Sequence, residues 1–302
     1  AVGRDALENS TSSNQVAVGF KALEANTSGN RNTALGYSTL LLNTTGDDNT
    51  AVGQSALDAN TTGSTNTAVG KEALGANTTG NNNTGIGVDT LKTNTTGSHN
   101  VAIGLNALET NNADNNIAIG VDAGRLNTTG TSNTFIGRTA GESNTTASNN
   151  TALGYAALTA NTTGGRNVAV GSLALDANTT GDDVTAIGYL ALSANTGNSN
   201  VGIGSSVLGV NTSGTNNVSV GTGSLSSNTT ANNNTAIGNS ALNQNTTGTQ
   251  NVAVGASALA ANTTANDNTS VGFNSLDANT TGASNTGIGK GTLSDNVSGS
   301  DN

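Results

Sequence analysis

The sequence has no cysteine, proline, methionine or tryptophan, and only three phenylalanines and three tyrosines among 302 residues. Without cysteine there is no disulfide framework, no thiolate metal site and no thiol nucleophile. With so few aromatic side chains, a large globular core filled by rings is excluded. No apolar run approaches the roughly 20 residues of a membrane-spanning helix, so neither such a helix nor a signal-peptide core is expected.

Charge is scarce as well, and it is mostly negative. Charged residues make up 9% of the chain, against roughly 25% in typical soluble domains. Nineteen acidic residues stand against nine basic ones, which gives a net charge of −10. A chain of this sign repels nucleic acid, so nucleic acid is not an expected partner.

A repeat of 17 residues fills the chain. Three copies read AVGQSALDANTTGSTNT at 51–67, AVGKEALGANTTGNNNT at 68–84 and AIGNSALNQNTTGTQNV at 236–252. Eighteen repeats follow one another, fourteen of 17 residues and four of 16. They begin at residues 1, 17, 34, 51, 68, 85, 102, 118, 135, 152, 169, 186, 202, 219, 236, 253, 270 and 287. Because nothing lies outside the repeats, we expect one uninterrupted array over residues 1–302.

Several positions of the repeat, counted from the Ala of AVG as 1 to 17, hardly vary. Position 3 is Gly and position 10 is Asn in all eighteen repeats, and position 2 is always Val, Ile or Leu. Position 17 is Thr, Val or Ile, and position 16 is Asn in sixteen repeats. Position 7 is Leu except at Gly124 and Gly141.

This pattern predicts an all-β chain. β-Branched residues at positions 17 and 2 fit a pleated strand, and no helical period is sustained. We expect a parallel β-solenoid, or β-roll, with one coil of about 17 residues per repeat and 18 coils. Each coil should hold a strand across positions 16 to 2, a bend near Gly at 3, a second strand over 5 to 9 and a return turn at NTTG, 10 to 13. Hairpins are disfavoured because the chain lacks Asn-Gly and Asp-Gly.

The charged residues avoid particular positions. Twenty-seven of the 28 fall at positions 4, 5, 8, 14 and 15, and Asp295 is the exception at position 9. Positions 17 and 2 share one face of a strand and position 1 lies on the other, so both faces are free of charge. Adjacent positions 6 and 7 are free of charge too. We expect the coil's interior to cover one face and a neighbouring chain the other; the alternative is a thin isolated solenoid with small residues at its corners.

Short strings in the array resemble a known family. NVAIG at 100–104, NIAIG at 116–120 and NVAVG at 167–171 and 251–255 are similar to the core of the YadA-like head repeats of trimeric autotransporter adhesins. The resemblance implies a left-handed β-roll, a homotrimer of chains packed side by side, display at the cell surface and a role in adhesion. The chain departs from that family in its longer period, which the NTTG segment accounts for. The array is also similar to repeats of phage tail fibres.

Sixteen of the eighteen turns contain N-x-[ST] starting at position 10. This motif is an N-glycosylation acceptor, but stacked Asn side chains can also form a hydrogen-bonded ladder along a solenoid. We favour the ladder, because Asn at position 16 recurs almost as faithfully outside any such motif. The candidate positions for glycosylation or a ladder are Asn43, Asn60, Asn77, Asn94, Asn127, Asn144, Asn161, Asn178, Asn228, Asn245, Asn262 and Asn279.

Other chemistry finds little support in the sequence. The acidic pairs at 47–48 and 182–183 lack the nonapeptide calcium repeat, and the single histidine, His99, has no partner for a catalytic triad. We expect no enzymatic activity, no catalytic or metal-binding residue and no cofactor. Thr at positions 11, 12 and 17 lacks the T-x-T spacing of an ice-binding face. Five of the six aromatic residues share position 4 without forming a continuous stack: Phe20, Tyr37, Tyr155, Tyr189 and Phe273.

The sequence therefore favours a structural protein outside the cell. We expect an extracellular fibre or adhesin, a head or shaft that acts as a stiff spacer and can itself be adhesive. Its expected partners are further copies of itself, as a trimer or a filament, and a host or surface receptor, without direct insertion into a membrane. Because neither end carries an atypical capping repeat, we expect a segment of a longer fibre protein. The alternatives are a phage tail-fibre or self-assembling filament segment and, in another class, an ice- or glycan-binding module.

Overall fold

The computed structural model describes residues 1–302 and contains strands and turns but no helix. The chain divides into two compact units, Ala1–Asn150 and Thr151–Asn302. Within each unit, every full repeat forms one coil, and the strands of successive coils pair in parallel. The prediction of an all-β parallel β-solenoid with one coil per repeat is confirmed. Since there is no helix, no helix could cross a membrane.

The first unit has eight strands of three residues each. They are β1 Val16–Val18, β2 Thr33–Leu35, β3 Thr50–Val52, β4 Thr67–Val69, β5 Thr84–Ile86, β6 Val101–Ile103, β7 Ile117–Ile119 and β8 Thr134–Ile136. Each pairs with the next in register, so that Ala34 of β2 lies beside Ala51 of β3. The first repeat contributes an isolated bridge between Val2 and Val18 in place of a strand.

The second unit has nine strands of the same length. They are β9 Thr151–Leu153, β10 Val168–Val170, β11 Thr185–Ile187, β12 Val201–Ile203, β13 Val218–Val220, β14 Thr235–Ile237, β15 Val252–Val254, β16 Thr269–Val271 and β17 Thr286–Ile288. The register again places equivalent positions of the repeat side by side, as with Ala236 of β14 beside Ala253 of β15. Repeats of 16 residues keep this register, since Thr185 pairs with Val201.

Each strand covers positions 17, 1 and 2 of the repeat, one residue fewer than predicted. Position 1 points into the coil, where Ala51, Ala102 and Ala186 are fully buried. Positions 17 and 2 point outward, as in Thr185 and Ile187 on either side of Ala186. The predicted alternation of faces is confirmed, and the small residue is the one that the narrow interior takes.

The predicted second strand over positions 5 to 9 is wrong. Positions 5 and 7 adopt left-handed backbone angles, with φ of 53° at Ser55 and 51° at Leu57, which an extended strand cannot contain. Hydrogen bonds still join the coils there, as from the Leu57 amide to the Ala73 carbonyl (3.0 Å). Ala56 and Leu57 are both fully buried, so neighbouring positions 6 and 7 both face inward. The lack of charge at these positions therefore reflects the coil's own interior, and needs no neighbouring chain.

The predicted bends at positions 3 and 10 to 13 are confirmed. Gly238, at position 3, has φ of 137°, and its amide donates to the Val220 carbonyl of the preceding coil (2.8 Å). In the NTTG turn, the Asn60 side-chain amide donates to the Gly63 carbonyl (2.9 Å) and closes the turn.

In the core of the first unit, one large side chain replaces two leucines on successive coils. Phe135 occupies position 1, where Ala is usual, and is fully buried. The two glycines that replace Leu at position 7, Gly124 and Gly141, flank its ring: a Cβ on Gly124 would lie 2.7 Å from Phe135 Cδ2 and one on Gly141 2.8 Å from Phe135 Cγ. One ring thus fills space that two leucines fill elsewhere.

Candidate functional site

The outward side chains of the strands form the most distinctive surface of each unit. We call the side chains at positions 17 and 2 of β1–β17 the outer strand face. None of them is charged. Eleven of its aliphatic side chains are exposed: Val16, Leu35, Ile86, Ile117, Ile119, Leu153, Ile187, Ile203, Ile237, Val252 and Ile288.

The continuity of this apolar surface sets it apart from scattered exposed aliphatics. Within each unit the strands pair directly, so position 2 of one coil lies beside position 2 of the next at about 4.8 Å. The side chains therefore form continuous rows. Contiguous exposed apolar patches on monomeric soluble proteins are usually small, and larger ones mark contact surfaces. The outer strand face is therefore the candidate contact surface of each unit.

A second row of exposed side chains lies directly after the glycine at position 3 of each repeat. We call the side chains at position 4 the position-4 column. Tyr37, Tyr155 and Phe273 in this column are each more than half exposed. The rings of Phe20 and Tyr37, one coil apart, stack with their centroids 5.3 Å apart and their planes at 21°. The sequence predicted the shared position, and the structure shows this one stacked pair.

Charged side chains pair with one another between coils. At position 15, Arg31 Nε donates to Asp48 Oδ1 (2.6 Å), and Arg166 pairs with Asp183 in the same way. The hydrogen bond from Arg31 lowers the pKa of Asp48. Because these pairs are exposed, we assign them little stabilisation.

Most of the other pairs lie at positions 5 and 8. Lys92 Nζ contacts Glu72 (2.7 Å) and Asp89 (3.2 Å), and its hydrogen bond lowers the pKa of Glu72. Partial burial raises the pKa of Asp58 and of Asp176. No group of three or more His, Cys, Asp or Glu side chains comes together in a way that could hold a metal ion.

The acidic pairs and the histidine singled out in the sequence have local partners. Asp47 Oδ1 accepts from the Asn30 amide (2.6 Å), and Asp182 Oδ1 accepts from the Gly165 amide (2.7 Å). His99 Nε2 lies 3.3 Å from the side-chain amide of Asn82 on the surface. These groups serve contacts between coils.

The twelve candidate Asn residues at position 10 are all fully buried, in the interior of the turns. Within each unit, these side-chain amides donate to the Oδ1 of the preceding coil's Asn, as from Asn60 to Asn43 and from Asn77 to Asn60 (both 2.8 Å). Other hydrogen bonds between these Asn side chains are longer, up to 3.3 Å from Asn279 Nδ2 to Asn262 Oδ1. Within each unit these side chains form a hydrogen-bonded column along the axis.

The column is interrupted where the turn is one residue shorter. The Asn111 side-chain amide donates to the Ala113 carbonyl (2.9 Å), and Asn94 Oδ1 is left without a hydrogen-bond partner. In the second unit Asn195 donates to the Gly197 carbonyl (2.8 Å) in the same way. Asn111 and Asn195 belong to the two turns that lack N-x-[ST]. The sequence motif and the hydrogen bond between neighbouring Asn side chains are therefore lost at the same turns.

A second buried Asn column runs along position 16. Asn49 Oδ1 accepts from the Asn66 amide of the next coil (3.0 Å), and the Asn49 side-chain amide donates to the Gly63 carbonyl (2.8 Å). Both groups of the side chain are therefore satisfied by the neighbouring coil. The sequence showed that this Asn recurs, but not which backbone groups it binds.

Thr hydroxyls at position 11 also bind within the protein. Thr44 Oγ1 donates to the Thr61 carbonyl and Thr61 Oγ1 to the Thr78 carbonyl (both 3.0 Å). A hydroxyl that donates to the next coil cannot use the same proton to order water or ice.

Removing one Asn side chain from the buried column at position 10 should destabilise the second unit. In Asn245→Ala, Asn228 Oδ1 and the Asn262 side-chain amide each lose a buried partner, which Asn245 holds at 3.2 and 2.9 Å. We expect the free energy of unfolding to fall by about 2–4 kcal/mol. Asn239→Ala, at an exposed position, is the matched control and should change it by less than about 0.5 kcal/mol. Equal effects of the two variants in urea denaturation would contradict the structural role of the column.

Comparisons of the chain with known proteins identify no relative: no family model, no curated protein and no solved structure matches it.

Proposed function

We propose that this chain is a structural segment of an extracellular fibre or adhesin, and that its copies associate side by side through the outer strand face. One observation carries the proposal: in both units the outward side of every strand is apolar or threonine and free of charge. The resemblance to YadA-like head repeats suggests the same arrangement, three parallel chains, and a place at the cell surface.

The physical case rests on what the outer strand face lacks. Charges occupy other positions of the coil, so two such faces can approach without burying an unpaired charge. Covering Ile187 or Ile237, which are 37% and 40% exposed, would remove further apolar surface from water. The threonines at position 17 can exchange their water contacts for hydrogen bonds between chains.

The mechanical role follows from the coil itself. Within each unit, successive coils are joined by backbone hydrogen bonds at the strand, as from the Gly171 amide to the Leu153 carbonyl (2.8 Å), and, where the columns are uninterrupted, by the buried Asn side chains. Bending or extending such a stack breaks several hydrogen bonds in each coil. A repeat of this kind is suited to act as a stiff spacer that holds a binding tip away from a surface.

Self-association is tested by the mass of the purified protein in solution. Light scattering and native mass spectrometry should give three times the chain mass of 29.3 kDa. The triple variant Ile187→Lys, Ile203→Lys and Ile237→Lys places three charges on the outer strand face and should give a monomer with an unchanged circular dichroism spectrum.

A matched variant carries the same three charges on the exposed turn, at Thr230→Lys, Thr247→Lys and Thr264→Lys, and should remain trimeric. A folded wild-type monomer of 29.3 kDa would contradict the proposal. Masses that grow without limit as concentration rises would favour the self-assembling filament instead.

A further inference from the structure

A cavity of about 500 Å³ opens across three successive coils of the first unit. Asp58, Gly75 and Lys92 occupy position 8 of these coils, and all three line the cavity. Sixteen of the eighteen repeats have a side chain at position 8, but the middle coil has a glycine there. The cavity is therefore space that a side chain fills in most other coils, and we call it the Gly75 cleft.

The Asp58 carboxylate is turned toward this space. A Cβ on Gly75 would lie 3.6 Å from Asp58 Oδ1. No ion pair of the chain includes Asp58. The preceding coil has Ser38 and Leu41 at positions 5 and 8, and neither carries a charge. The carboxylate thus faces the cleft without a cation from its own chain.

The two lysines of the following coils are engaged elsewhere. Lys92 Nζ lies 2.7 Å from Glu72 Oε2 and 3.2 Å from Asp89 Oδ1. Lys71 Nζ lies 3.3 Å from Glu72 Oε1. These two cations and two carboxylates balance one another in charge, so Asp58 adds an unbalanced negative charge at the cleft.

The surroundings of Asp58 disfavour its ionised form. Burial raises the pKa of the Asp58 carboxyl more than the amides of Asp58 and Ala59 lower it, and the negative charge of Glu72 adds to the rise. A bound cation would offset both the burial and the repulsion. Because an ionised carboxylate only accepts hydrogen bonds, the ligand must also be a donor. A cation with N–H groups meets both requirements.

The chain itself shows how a cation at position 8 is held. Arg125, at position 8, contacts Glu142, at position 8 of the next coil, with Nη2 2.9 Å from Oε1. Lys92, also at position 8, contacts carboxylates of its own coil and of the preceding one. In the Gly75 cleft the acidic partner on the adjacent coil is present, and the side chain that would carry the cation is absent.

We propose that the Gly75 cleft binds a primary alkylammonium group, whose nitrogen donates to the Asp58 carboxylate and whose methylene groups lie against Ala59 and Ala76. Both alanines line the cavity and supply methyl groups for this contact. A primary ammonium is compact and carries three donors, which suits the space of one missing side chain. It belongs to a small amine or to a lysine of a partner polypeptide. The cleft shares no residue with the outer strand face, so it is independent of the self-association proposed above.

The test uses the full chain and ligand-observed NMR. n-Butylammonium is titrated, with n-butanol as its uncharged counterpart and butyrate as its anionic one. We expect saturable binding of n-butylammonium alone, and weaker binding as the pH falls through the pKa of Asp58, because protonation removes the charge that holds the ligand. Asp58→Asn should weaken binding about tenfold or more. Asn is tolerated at position 8, since Asn243 occupies it, and Asp176→Asn, at the same position of another coil, should leave binding unchanged.

Filling the cleft provides a second measurement. Gly75→Lys places an ammonium of the chain itself beside Asp58 and should abolish binding, whereas Gly209→Lys, the same change at position 8 of a coil in the second unit, should not affect it. Acetyl-Gly-Lys-Gly-amide separates the two sources: if it binds as tightly as n-butylammonium, the ligand is a lysine of a polypeptide, and if only the free amine binds, it is a small molecule. Failure of the wild type to bind n-butylammonium, equal binding of n-butanol or butyrate, or unchanged binding to Asp58→Asn or Gly75→Lys would overturn the proposal.

Discussion

Phe135→Ala is expected to lower the free energy of unfolding by about 3–5 kcal/mol. The ring is fully buried and lies between Gly124 and Gly141, which have no side chains to move into the space that it would leave. Because the neighbouring coils are held by backbone hydrogen bonds, the cavity cannot collapse easily. The measurement is urea denaturation followed by circular dichroism, at one protein concentration so that self-association does not alter the comparison.

A rescue separates this explanation from a general loss of packing. Gly124→Leu and Gly141→Leu added to Phe135→Ala restore the usual Ala at position 1 and Leu at position 7, and should recover most of the lost stability. Other leucines at position 7 already adopt φ values near those of the two glycines, 51° at Leu57 against 57° and 58°. Gly141→Leu alone should be strongly destabilising, because its side chain would meet the ring. If the changes in the free energy of unfolding caused by the three substitutions simply added up, the explanation that the Phe135 ring takes the space of two leucines would be contradicted.

Gly238→Ala is expected to lower the free energy of unfolding by about 3 kcal/mol or more. Gly238 has φ of 137°, and a Cβ there would lie 2.5 Å from the Gly255 carbonyl oxygen of the next coil. The obstacle is backbone that itself pairs with a further coil, so it cannot move without breaking the stack.

Gly209→Ala is the control for Gly238→Ala. Gly209 has no positive φ, and its Cβ would meet no atom closer than 3.5 Å, so its effect should stay within about 1 kcal/mol. Urea denaturation that ranks the two variants equally would contradict the close approach of coils at position 3.

The strand and its register could be predicted from the sequence because they depend on the period and on alternation. Thr, Ala and Val at positions 17, 1 and 2 alternate in size, and only the Ala fits a narrow interior. The segment at positions 5 to 9 could not be predicted in this way. Its left-handed residues, Ser55 and Leu57, are types that rarely adopt positive φ, so no local signal indicates that conformation.

The candidate surface was predictable only in part. Its freedom from charge was visible in the sequence, but the same freedom at positions 6 and 7 has a different cause, because Ala56 and Leu57 both face the interior. The relation between Phe135 and its two glycines was also hidden, since Gly124 lies on the coil before the one that holds Phe135 and Gly141. Three departures from the repeat at nearby positions were the only signal that could have revealed it.

The central claim is that each repeat makes one coil and that like positions stack along an axis. Spin labels test this claim in the second unit. Because the chain has no cysteine of its own, only the introduced cysteines are labelled. Thr163→Cys with Thr230→Cys places two labels four coils apart, and Thr163→Cys with Thr264→Cys places them six coils apart. Pulsed electron paramagnetic resonance, with labelled protein diluted in unlabelled protein, should give about 19 Å and about 29 Å, a rise of about 4.8 Å per repeat. Distances that do not grow in proportion to the number of repeats would contradict the account.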